Sequence, residues 1–140
     1  MGQLITVKDC ISQAGLEIGI TQRPVSTVVN SADQDVTQML ALLNVVADEV
    51  LLEEPYRTTL GDDNWVADAT GRPKKRPTTD TDIILFDGRL AINGLKFRFL
   101  KAKGLEFGEE MRDFTTRMAK LAGRANGRVL DLDVDGGRVV

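Results

Sequence analysis

Apolar residues recur along this chain with a helical period in four places and with a strand period in two. Thr6 reads as the cap of a first helix, Val7 to Ala14, closed by Gly15. Leu16 to Asn30 then reads as extended. Ser31 and Gln34 have the spacing of a capping box, and the second helix is expected from about Ala32 to Glu53, stopped by Pro55. Val36, Met39, Leu40, Leu43, Val46, Val50 and Leu51 form its apolar stripe. Asp87 can cap a third helix, and Gly104, after Lys101 and Lys103, ends it. A fourth helix carries Phe107, Met111, Phe114, Met118 and Leu121 at steps of four and three.

The third helix is apolar on two faces. Ile92, Leu95, Phe99 and Ala102 make one stripe, and Leu90, Phe97 and Leu100 make another. Two apolar faces require two packing partners, so Phe97 and Leu100 are expected to meet a neighbouring subunit.

Between residues 56 and 86 the period changes. Asn64 to Asp68 suggests a strand and Thr70-Gly71 a turn, with a further strand at Ile83 to Phe86. Pro73 and Pro77 within the basic run forbid a helix there and disfavour a central strand. The expectation is a β-hairpin or ordered insert projecting from a helical body. Trp65, the only tryptophan, is either its packing anchor or an interface hot spot. Arg72, Lys74, Lys75 and Arg76 are either phosphate contacts or a solvated loop tip.

After Leu121 come Gly123, Asn126 and Gly127, then an alternation in which Leu130, Leu132 and Val134 oppose Asp131, Asp133 and Asp135. This reads as an extended C-terminal arm (123–140) beyond a helical domain (1–122). Its apolar face is offered to a partner strand, with the acidic face left to solvent. The Asp131-Asp133-Asp135-Gly136 spacing copies the start of a calcium loop, but no glutamate can stand at the twelfth position and the flanking helices are missing. No metal and no cofactor is expected.

The fold class is therefore mainly α: a small bundle of about four helices, an insert between the second and third, and an arm. With 140 residues there is room for one modest core. A net charge of −3 argues against a general nucleic-acid binder. No apolar run is long enough to span a membrane, and no secretory leader is expected. The opening Met1-Gly2 to Thr6 has the spacing of a myristoylation signal, yet Leu4 and Ile5 are better explained as packing at a helix start. Histidine is absent and Cys10 is the only cysteine, which removes His-based triads, Cys/His zinc sites and intrachain disulfides. Glu53-Glu54 and Glu109-Glu110 are adjacent on helices and diverge, so neither pair forms a shared acid/base site. An enzyme is disfavoured.

Two segments carry a family resemblance. GLKFRFLKAKGLEFGEEMRDF resembles the second half of the head-to-tail adaptor proteins of tailed bacteriophages, and PVSTVVNSADQDVTQMLALLN resembles their amino-terminal pattern. Their order and spacing also match, over roughly residues 3 to 121. The resemblance implies a structural virion protein of the neck, assembled in the host cytoplasm. Its partners would be the portal protein, neighbouring copies in a ring (twelve in that family), a downstream neck or tail protein, and DNA passing without specific binding. A neck stopper or tail-completion role belongs to the same class. The alternative from another class is a helical DNA-binding regulator, with Lys96, Arg98, Lys101 and Lys103 on a recognition helix; Leu95, Phe97, Phe99 and Leu100 interleave those cations and count against it.

Overall fold

A computed structural model describes residues 4–20, 25–53 and 64–125. Among these residues, four helices surround one core: α1 (Val7–Glu17), α2 (Gln34–Leu51), α3 (Gly88–Ala102) and α4 (Gly108–Ala125). Three two-residue strands, β1 (Val66–Ala67), β2 (Pro73–Lys74) and β3 (Ile83–Ile84), lie between α2 and α3. The mainly α class, the four helices and the ordered insert are as the periodicity predicts.

The helix ends show how local chemistry sets the boundaries. Thr6 caps α1, its hydroxyl accepting from Asp9 N at 3.1 Å. The helix then runs through Gly15, which is buried, and ends at Gly19 with φ +79°. There Ile20 N donates to Gly15 O at 2.9 Å, closing the last turn. The expected stop at Gly15 was one turn early, because the left-handed residue is Gly19. At α2 the cap is Asp33 and not Ser31: the Asp33 carboxylate accepts from Asp35 N at 2.8 Å and Val36 N at 3.3 Å. Ser31 instead accepts from Asp33 N at 3.1 Å, a turn that feeds the stronger, charged cap. Asp87 caps α3 as predicted, accepting from Leu90 N at 2.9 Å. Gly104, at φ +73°, ends the helix with Leu105 N donating to Leu100 O at 2.9 Å and Gly104 N to Lys101 O at 3.1 Å.

Helix α3 is the centre of the molecule and packs against α1, α2 and α4. Both of its apolar faces are consumed inside the subunit. Leu90, Ala91 and Leu95 are fully buried, and Phe97 is 6% exposed beneath Phe107 and Phe114, with ring centroids 5.6 and 6.1 Å away. The expectation that Phe97 faces another subunit is therefore corrected: α4 folds back over it. Leu100 is half-buried at the α3–α4 corner. Gly94 makes this packing feasible. A Cβ there would meet Val46 Cγ1 at 2.6 Å and Phe114 Cε1 at 2.8 Å, so α2 and α4 approach α3 where it has no side chain.

The strands form one antiparallel sheet in the order β2-β1-β3, with Val66 opposite both Lys74 and Ile84. Pro73 sits on the edge strand, where its missing N–H costs no ladder bond. The insert does not project as expected. Trp65, Val66 and Ile84 are fully buried and Phe86 nearly so. The sheet is also tied to the start of α1: Val7 N donates to Asp82 O at 2.8 Å, and Ile84 N to Ile5 O at 2.9 Å.

Candidate functional site

The predicted interface residues separate once placed in space. Trp65 is fully buried, with its ring centroid 6.2 Å from that of Phe86. It is a packing anchor of the insert and not a surface hot spot, which settles the two readings of its position. Its Nε1 is buried without a hydrogen-bond partner. Leu130, Leu132, Val134, Asp131, Asp133 and Asp135 lie outside the described residues.

The basic run is no uniform phosphate patch. Lys74 reaches inward and pairs with Asp82 at 2.7 Å, also donating to Thr78 Oγ1 at 2.5 Å. Arg76 lies 3.6 Å from Asp48 of α2, both side chains about half exposed. Arg72 and Lys75 are exposed, and the Arg72 backbone N–H closes the hairpin turn on Asp68 Oδ1 at 3.0 Å. One of the four cations is thus a structural counter-ion, which charge density in the sequence could not reveal.

Asp82 is the hub of that region. Its side chain is fully buried and accepts from Lys74, from Thr78 N at 2.7 Å, from Thr79 N at 3.0 Å and from Thr79 Oγ1 at 2.8 Å. Burial alone would raise its pKa; the Lys74 ammonium and the amide and hydroxyl donors outweigh it and hold the carboxyl at about 2. Two residues earlier, Asp80 accepts from Val28 N at 3.2 Å and Val29 N at 2.8 Å, fastening the segment before α2 to the insert.

Most cations on and just after α3 are paired; Lys101 is exposed and lies 5.9 Å from the Phe97 and Phe107 ring centroids. Lys96 and Arg89 meet Glu17 of α1 at 2.7 and 2.9 Å, and Arg98 meets Glu49 of α2 at 2.5 Å. Lys103 lies 3.4 Å from Asp35 and over the Phe99 ring. For Glu17 the burial cost is outweighed by the donors Lys96, Gln13 and Arg89, which hold its pKa at about 2. A recognition helix needs its cations and one face free, whereas α3 packs against three other helices and Lys96, Arg98 and Lys103 are tied to carboxylates of α1 and α2.

Cys10 is fully buried, and burial pushes its thiol well above the ordinary range, which disfavours the thiolate. Among the described residues no cluster of acidic or cysteine side chains could hold a metal ion, and no helix is long and apolar enough to cross a membrane.

One surface feature was not foreseen. A groove of about 360 Å³ runs between α3 and α4, lined by Asn93, Arg112, Asp113, Thr116, Arg117 and Lys120. Arg112, Thr116 and Lys120 recur every four residues, so they stand in one row along α4. Beside it a cavity of about 220 Å³ is lined by Ile5, Asp87, Gly88, Arg89, Ile92 and Arg117. Arg117 separates the two and makes a two-pronged contact with Asp87, Nη2 donating to Oδ1 at 3.0 Å and Nε to Oδ2. Asp87 is almost fully buried; its burial cost is outweighed by Arg117 and the Leu90 N–H, which keep its pKa below the usual range. Asn93 of α3 is only 7% exposed. The signal in the sequence was the Arg112-Thr116-Lys120 spacing, but a polar row on an amphipathic helix is the ordinary wet face.

No family model matches the chain, and no curated protein or solved structure matches it.

Proposed function

We propose that this chain is a structural subunit of a phage neck, an adaptor between the portal and downstream components around the DNA channel. The observation that carries the reading is the resemblance of two segments, which fall on one packed unit of the fold. The first leads into α2, and the second spans the C-terminal half of α3, the Gly104 turn and the start of α4. Three further features fit. The chemistry of the described residues is that of ion pairs, caps and packing, with no activated nucleophile. Val45 (40% exposed) and Leu52 (72%) leave apolar surface on α2, and Leu105 (56%) and Met111 (41%) leave more at the α3–α4 corner. Such residues suit contacts between subunits. Lys96, Arg98 and Lys103 pair with Glu17, Glu49 and Asp35, which suits a protein that lies near DNA without gripping it.

Electron microscopy of the protein mixed with a portal protein from the same source tests the reading. A ring of added density on the portal, with the portal's rotational symmetry, is expected. Failure to bind the portal, together with tight binding of duplex DNA at moderate salt, would overturn it in favour of a regulator.

A further inference from the structure

We propose that the outer lip of the insert, carrying Arg72, Lys75 and Arg76, is a contact for the phosphate backbone of duplex DNA, weak and independent of base sequence. The inference rests on the insert and not on the neck reading.

The insert sorts its charges. Between residues 68 and 82 the chain holds the cations Arg72, Lys74, Lys75 and Arg76 and the carboxylates Asp68, Asp80 and Asp82. Each carboxylate is committed to the fold. Asp68 Oδ1 accepts from Thr70 N, Thr70 Oγ1 and Arg72 N at 2.9, 2.6 and 3.0 Å, which closes the turn. Asp80 holds the Val28 and Val29 amides, and Asp82 is buried around Lys74. Arg72, Lys75 and Arg76 remain exposed. Arg76 faces Asp48 at 3.6 Å with both side chains about half exposed, a contact weak enough to exchange for a phosphate. The backbone that carries these cations is stiff, because the Asp68 turn, Pro73, Pro77 and the Lys74–Asp82 pair fix it. Little ordering entropy is then lost on contact.

The composition of the lip selects the partner. Between residues 69 and 79 there is no aromatic residue and no leucine, isoleucine, valine or methionine. A protein partner would need an apolar centre to bury, and the lip offers none. A single strand would need aromatic platforms on which to stack its bases, and these are missing too. A duplex backbone needs only cations. Residues 72 to 76 span up to about 13 Å of extended chain. Over that length duplex DNA presents about eight phosphate charges, so each exposed cation can meet one. Contacts to phosphate carry no base information, and the net charge of −3 keeps the attraction local to the lip.

Fluorescence anisotropy of a labelled random-sequence duplex, titrated with the full-length protein, tests the proposal. Three phosphate contacts predict a slope of about −2.7 in log affinity against log salt, a loss of about 40-fold between 50 and 200 mM. Arg72→Gln with Lys75→Gln should flatten that slope by about 2 and weaken binding equally on unrelated sequences. Arg112→Gln with Lys120→Gln removes the same charge from exposed positions of α4 and should change neither. Both variants should keep the wild-type circular dichroism. Absence of binding at the lower salt, or equal losses in the two variants, would overturn the proposal. Competition by polyglutamate as effective as by unlabelled duplex would also overturn it, by making an acidic protein segment the partner.

Discussion

Replacing Asp82 with asparagine removes one charge from a fully buried carboxylate that accepts four hydrogen bonds and alters almost no volume. In the wild type that carboxylate faces four donors, one of them the Lys74 ammonium at 2.7 Å. Its pKa is about 2, against an ordinary value of 3.8. That difference is worth roughly 2 kcal/mol of folding stability in the charged form. The sign follows from the depression: the contribution is complete above the unfolded value near 3.8 and is lost as pH falls through about 2. Asp82→Asn should therefore be less stable than wild type by roughly 2 kcal/mol at neutral pH, and the two should converge at the acid end. Asp82→Ala should cost more, about 3–5 kcal/mol, since it also strands buried donors beside an unpaired lysine. Urea unfolding followed by circular dichroism, repeated from pH 7 to pH 2, provides the measurement. A cost below about 0.5 kcal/mol for Asp82→Asn, or parallel acid limbs for the two proteins, would refute the assignment of Asp82 as a charged structural hub.

Three other outcomes are expected. Gly94→Ala should destabilise by about 1–3 kcal/mol despite alanine's higher helix propensity, because the new Cβ overlaps Val46 and Phe114; thermal melts report it. Asp87→Ala removes the cap of α3 and the partner of Arg117, so a loss of at least about 1 kcal/mol in urea titrations should result. Trp65, fully buried in the insert, should show blue-shifted fluorescence that unfolds in one transition with the helical signal; an earlier fluorescence transition would mean that the insert melts separately.

The helical skeleton was readable because each helix carries its period and its terminators in nearby residues. Asp87 and Gly104 bracket α3 in the sequence as they do in space. What local pattern could not show is which partner covers a face. Leu90 and Phe97 on the second face of α3 had the composition of an intersubunit surface, but Phe107 and Phe114 come back over that face from α4. Trp65 and Lys74 were ambiguous for the same reason. Their partners Phe86 and Asp82 lie across strand pairings whose register no short-range signal dictates. The α3–α4 groove was not legible because Arg112, Thr116 and Lys120 read as the wet face of α4, and only folding sets Asn93 of α3 opposite them.

The claim that this chain is a neck component is tested most directly by quantitative mass spectrometry of purified phage particles from the genome that encodes it. The account predicts that the chain is present in the mature particle at a copy number equal to that of the portal protein. Particles that lack it, while infected cells contain it in abundance, would contradict the account.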